Sequence, residues 1–144
     1  MWEYEYSVEA EVEPRAVFGL WTDAENWHTW NDGVGAVEVH GPFAAGTEFT
    51  MTPPGQDTVT MLIADVTEDR GFTDVNIEFD DVVITTFHRI EDLGAGLTRV
   101  TYRTEITGDA ADTVGAEVGP LICADFPDVV DALVARAAQL GATG

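Results

Sequence analysis

The sequence predicts an α+β domain, an antiparallel sheet closed against a C-terminal helix, and three observations carry that prediction. Residues 2–12 alternate between apolar and polar side chains. Further β-rich stretches follow at short, regular spacing between glycines and prolines. The last long segment, Gly119 to Leu140, changes period: Ile122, Phe126, Val130, Leu133, Ala137 and Leu140 recur at intervals of three and four, one apolar face of a helix. A chain of 144 residues is one domain (residues 1–144), able to bury roughly 70% of its unfolded surface without a disulfide or metal staple.

The first strand places Trp2, Tyr4, Tyr6, Val8, Ala10 and Val12 on one face and Glu3, Glu5, Ser7, Glu9 and Glu11 on the other. The glutamate row reads as a solvated sheet face. Residues 14–21 read as a short helix entered through Pro14, with Val17, Phe18, Leu20 and Trp21 apolar. A second short helix, residues 24–30, is capped by Asp23 and ends at Asn31-Asp32-Gly33. Its Trp27 and Trp30 share a face; large aromatics at that spacing usually enter a core, although a planar ligand could stack on them. Strands follow at about 36–40, 47–52, 58–67, 73–79, 82–91 and 97–107, separated by Gly41-Pro42, Pro53-Pro54-Gly55, Arg70-Gly71, Asp80-Asp81 and Gly94-Ala95-Gly96. In the terminal segment Pro120 reads as opening the helix, Asp125 as a cap beside a kink or restart at Phe126-Pro127, and Gly141 as its end.

Acidic residues number 27 against 6 basic ones, all arginine, for a net charge of −21. Such a surface repels nucleic acid and anionic lipid, and disfavours an anionic ligand unless an arginine meets it. The acidity fits a high-salt cytoplasm or a lysine-poor genome equally. Without lysine, Schiff-base chemistry on a side-chain amine is excluded. The single Cys123 leaves no internal disulfide, and no basic-then-apolar N-terminus or long apolar run is present, so the expected setting is cytoplasmic, without membrane insertion. Monomer and homodimer are both compatible with the sequence.

Motifs for cofactor chemistry are missing. His28, His40 and His88 lack metal-ligand spacing, Cys123 has no CxxC partner, Gly33-Val34-Gly35 lacks the third glycine of a dinucleotide loop, and the only serine is Ser7. Neither metal nor cofactor is expected. What remains is polar groups on inward strand faces. The parity of Val82, Ile84, Thr86, His88 and Ile90 turns His88 inward, and that of Val100, Tyr102, Thr104 and Ile106 does the same for Tyr102. An imidazole and a phenol on neighbouring strands can polarise a carbonyl or steer a dehydration, and each can equally be a hydrogen-bonded core group. Arg89, Arg99 and Arg103 take the outward parity, as does Glu48. The expected apolar lining is Tyr6, Trp30, Phe49, Met51, Leu62, Ile77, Phe79, Ile84, Phe126 and Val130.

Val17-Phe18-Gly19-Leu20-Trp21-Thr22-Asp23, Trp27-His28-Thr29-Trp30-Asn31, Gly41 and Gly46, the run from Leu97 to Gly108, and the C-terminal helix carry a likeness over essentially the whole chain. In these the sequence resembles the START/Bet v 1-like (SRPBCC) superfamily, and within it the bacterial polyketide cyclase/dehydrase-like proteins. The resemblance implies a helix-grip fold, a curved sheet wrapped around the long helix with a hydrophobic cavity between them. It implies a small hydrophobic ligand, aromatic, polyketide-like or lipid-like, held by a carrier or by a cyclase/dehydrase-like enzyme. No catalytic signature is common to that superfamily, so a location is implied and residue roles are not. His88 and Tyr102 are the catalytic candidates from the strand parity alone. The alternative is a protein-interaction or stress-related module of the same fold, with a small dry interior and an exposed apolar patch.

Overall fold

The computed structural model describes residues 1–31, 35–52, 54–55, 57–76, 82–124 and 126–143. The expectations placed on Asp32, Gly33, Pro53, Ile77, Phe79, Asp80, Asp81 and Asp125, and on the Ile122 side chain, lie outside the described residues. Seven strands form one antiparallel sheet: β1 (Trp2–Ala10), β2 (Ala36–Val39), β3 (Glu48–Thr52), β4 (Val59–Thr67), β5 (Gly71–Asn76), β6 (Val83–Gly94) and β7 (Leu97–Thr107). Their spatial order is β1-β7-β6-β5-β4-β3-β2, so β2 to β7 are a meander and β1 closes beside the last strand. Helix α1 (Pro14–Thr22) and a 3₁₀ helix (Ala24–Thr29) follow β1, as the sequence anticipates. Two helices follow β7: α2 (Ala111–Cys123) and α3 (Phe126–Thr143). The architecture is the helix-grip α+β fold. None of the described helices is long and apolar enough to cross a membrane.

The terminal segment departs from its expectation. Helical structure begins at Ala111, Pro120 lies inside α2, and α3 runs beyond Gly141 to Thr143. Pro120 removes one backbone donor, and α2 ends three residues later. Residues 111–119 carry two glycines, poor helix formers, which hid the helix from periodicity. Their reason is steric: a Cβ on Gly115 would lie 2.3 Å from Cβ of Trp2, and one on Gly119 2.6 Å from the Trp2 indole. Both positions admit the β1 tryptophan, which docks α2 against β1. Along α3, Phe126, Val130, Leu133 and Ala137 are buried as predicted, whereas Leu140 is exposed at the far end.

Alternation in the strands sorts two chemistries onto the two sheet faces. The convex face carries Glu3, Glu5 and Glu105 around Arg103, and Glu9 and Glu91 around Arg99. These pairs are partly solvated, each adds little stability, and together they relieve repulsion on an otherwise anionic face. The concave face meets the helices through two apolar clusters. The larger is built on Trp21, Phe49, Ile63, Phe72, Val100, Val130 and Leu133. The smaller joins Val82, Ile84, Ile106 and Ala111 beneath α2.

Gly119→Ala should therefore lower the unfolding free energy by about 1–3 kcal/mol, the usual penalty for overpacking. Gly19→Ala, at an exposed helical position with open space around it, should raise it by up to ~1 kcal/mol. Chemical denaturation of both variants checks the pair; equal effects would refute the assigned packing.

Candidate functional site

The pairing registers arrange the concave face in three rows. One runs Tyr6, Tyr102, His88, Phe72, Val66 across β1, β7, β6, β5 and β4. The next runs Tyr4, Thr104, Thr86, Asp74, Ile63, and the third Trp2, Ile106, Ile84, Asn76, Met61. Tyr6, Tyr102, Phe72 and Val66 of the first row belong to the larger cluster, and Trp2, Ile84 and Ile106 of the third belong to the smaller. Between them the middle row is largely polar, with Asp74 and Thr104 buried and the Thr86 and Thr104 hydroxyls 3.0 Å apart.

The first row is held by rings. Phe72 and His88 stack with centroids 3.9 Å apart and planes 5° from parallel. His88 meets Tyr102 edge-on at 4.6 Å, and Tyr102 meets Phe126 at 5.6 Å. Trp21 of α1 inserts over all three strands, touching Phe72, His88 and Tyr102, and its Nε1–H donates to the Tyr102 hydroxyl at 3.0 Å. The backbone also approaches closely: a Cβ on Gly71 would lie 2.0 Å from the His88 carbonyl oxygen, so the β5–β6 contact here requires glycine.

His88 Nδ1 lies 3.2 Å from the Phe72 carbonyl oxygen. A carbonyl only accepts, so Nδ1 carries the proton and Nε2 presents its lone pair. Nε2 faces Asp74 Oδ2 at 4.0 Å, both side chains being more than 90% buried. Burial pushes the imidazole down to about 3, assisted by the nearby Arg89 charge, and raises the Asp74 carboxyl to about 7. The pair is thus a neutral imidazole beside a carboxyl that holds its proton into the neutral range. Arg89 itself is committed to the other side of the sheet, where it donates to Thr73 Oγ1 and covers the Phe87 ring.

His88 and Tyr102 are brought together, in contact and inward-facing, as the parities require. Phe126 and Val130 are buried beside them, and Phe49 packs edge-on against Trp27. Met51 is half-buried against the larger cluster, and Ile84 sits in the smaller one. Tyr6 lies on the concave face opposite Tyr102, with its hydroxyl donating to Asp131 of α3. Trp27 is core: its Nε1–H is shared by the carbonyls of Leu20 and Trp21, and its ring stacks on Phe72. Trp30 instead lines an open groove of about 320 Å³ with Leu20, Asp23, Asn26, Thr29, Arg136 and Leu140. Leu62 is corrected. Met61 and Ile63 face the core, and Leu62 lies opposite Glu48 on the convex side. Three successive apolar residues carry no parity, so the sequence alone does not fix the orientation. Asp74 was missed because β5 offers apolar residues on both parities, Phe72 on one and Val75 on the other. Pairing Phe72 with the inward His88 is the signal that would have found it.

The family model described as polyketide cyclase/dehydrase and lipid transport matches residues 1–140. Similar solved structures include the Zhui aromatase/cyclase from Streptomyces sp. R1128 (15% identity, 95% of this chain and 93% of that one, TM-score 0.77). Norcoclaurine synthase from Thalictrum flavum, solved with dopamine and hydroxybenzaldehyde, is similar over 95% of this chain and 86% of its own (16% identity, TM-score 0.76). A START superfamily protein from Mycobacterium smegmatis is similar over 96% and 98% (16% identity, TM-score 0.74). No curated protein sequence matches. The chain belongs to the polyketide cyclase/dehydrase and lipid transport family.

Two stability experiments follow from the site. Tyr102→Phe removes the acceptor of a buried indole N–H and should cost about 1–3 kcal/mol by chemical denaturation; an unchanged midpoint would contradict that bond. The second concerns pH. Asp74 keeps in the folded state a proton that the unfolded chain has released above 3.8, so its contribution is full below that value and is lost as pH rises towards 7. His88 refuses in the folded state a proton that the unfolded imidazole takes up below 6.5, so its contribution is full above 6.5 and is lost as pH falls towards 3. The two oppose each other in between. Relative to wild type, Asp74→Asn should lose stability as pH falls from 6.5 to 4, by up to ~1.4 kcal/mol per unit, and His88→Gln should gain it. Parallel stability–pH curves for the three proteins would show that neither group is shifted.

Proposed function

We propose, with membership of this family as the premise, that the protein binds a small, largely apolar molecule between the concave sheet face and α3. The observation that carries this reading is the row Tyr4, Thr104, Thr86 and Asp74, polar groups on a buried face between two apolar clusters. Thr86 and Thr104 bond to each other, but among the described residues Asp74 has no donor, and burying a polar group is unfavourable unless it is hydrogen-bonded. A ligand with an apolar body and one polar end uses both environments at once. The aromatic walls supplied by Phe72, His88, Tyr102 and Phe126 favour a planar molecule. The similar norcoclaurine synthase, solved with two small aromatic compounds, supports the same ligand class.

Tyr6, Tyr102 and Phe126 frame this space from β1, β7 and α3. His88 flanks the polar end beside Asp74, and Tyr102, held by Trp21, fixes the imidazole from the opposite edge. The primary role is binding or carrying; cyclase/dehydrase-like turnover at His88 is the second reading, favoured by a neutral imidazole whose Nε2 is available to accept a proton.

Native mass spectrometry of purified protein, followed by denaturing extraction, should release a small apolar compound. A panel of fatty acids and bicyclic aromatic ketones and phenols should raise the melting temperature. An apo mass together with no thermal shift across the panel would sink the binding reading in favour of a protein-interaction role. His88→Ala separates carrier from enzyme: weakened affinity alone marks the former, and lost turnover with retained binding the latter.

A further inference from the structure

The concave face holds one side chain whose chemistry neither packing nor the aromatic lining explains. Asp74 is 6% exposed, and its neighbours in register are Ile63 and Thr86. Among the described residues no hydrogen-bond donor reaches its oxygens, and His88 Nε2 lies 4.0 Å away, too far for a hydrogen bond. Its side chain nevertheless keeps 8% of its surface accessible, and no sealed polar side-chain atom among the described residues lacks a partner. The unbonded oxygens are therefore not fully sealed. A buried carboxyl left without donor or countercharge is strongly unfavourable for folding, and a ligand atom that bonds to it offsets that loss on binding.

We infer that Asp74 is the polar anchor of the ligand site, and that the ligand it fits carries an uncharged hydrogen-bond-accepting oxygen, such as a ketone, on an aromatic or alicyclic body. This assignment rests on the binding reading given above and narrows it to a substrate class. Three features select that chemistry. Among the described residues no cation lies on the same face: Arg89 is turned to the convex side by its bonds to Thr73 Oγ1 and the Phe72 carbonyl, so an anionic group would enter without a partner. His88 Nε2 has a lone pair and no proton, so the donor at this end of the site is the carboxyl O–H, with the Thr86 and Thr104 hydroxyls beside it in the row. The raised pKa of the carboxyl keeps that proton in place near neutral pH. An acceptor oxygen completes this set; an ammonium group would compete for the carboxylate form that burial disfavours.

Three probes on one carbon skeleton test it: tetralin, 1-tetralone and 1-aminotetralin, titrated by calorimetry at pH 6.5. Wild type should bind 1-tetralone about tenfold more tightly than tetralin, the gain of one well-made hydrogen bond in a dry site, and should bind the amine no better than the hydrocarbon. Asp74→Leu should bind the two neutral probes equally, while Asp74→Asn, which retains an N–H donor, should keep most of the preference for the ketone. The ranking in wild type stands on its own if a variant does not fold. A ketone preference that survives in Asp74→Leu, or an amine bound more tightly than the ketone, would overturn the anchor and leave the binding reading intact. Failure of all three probes to bind would overturn this ligand class, while the binding reading itself is decided by the wider panel and the native mass.

Discussion

The indole of Trp21 is the contact on which the concave side depends. Helix α1 has nine residues, too few to persist on its own, and it is anchored by its fully buried Val17 and Trp21. One side chain hydrogen-bonds to Tyr102 on β7, touches His88 on β6 and meets Phe72 on β5. Its backbone carbonyl accepts the Trp27 N–H, which ties in the 3₁₀ helix. Three strands and two helical segments thus share one residue. The Tyr102 hydroxyl is placed by an indole donor, and the imidazole is clamped between Phe72 and the Tyr102 edge, so the polar end of the face is pre-organised.

The fold was legible because alternation is a strong signal wherever one sheet face is wet and the other dry. Trp2 to Ala10 and Leu97 to Thr107 were read residue by residue, and the arginines of β7 met the glutamates of β1 as parity requires. Legibility failed where local signals are degenerate. Met61-Leu62-Ile63 is apolar at every position, so only the pairing of Phe49 with Met61 decides which side faces in. Helix α2 was hidden for a different reason: Gly115 and Gly119 lower helix propensity locally, and they are there because Trp2 needs the space. Tertiary packing overrode the local preference, and no single-segment pattern carries that information.

The site was half legible. His88 and Tyr102 follow from strand parity, and their contact follows from the β6–β7 hairpin register. Asp74 does not, because its meaning comes from two strands at once: Phe72 must pair with His88 before Asp74 is seen to share their face. Read from β5 alone, Thr73-Asp74-Val75-Asn76 is an undistinguished polar stretch of a strand.

Charge explains why the two carboxylate populations behave differently. The convex glutamates are partly exposed and sit beside arginines. Among the described residues Asp74 has no arginine beside it, and burial favours its proton-bearing form. The net charge of −21 opposes the entry of an anion into the concave face. A buried acid in an acidic protein is therefore a hydrogen-bond donor held in reserve, and what it selects is a neutral acceptor.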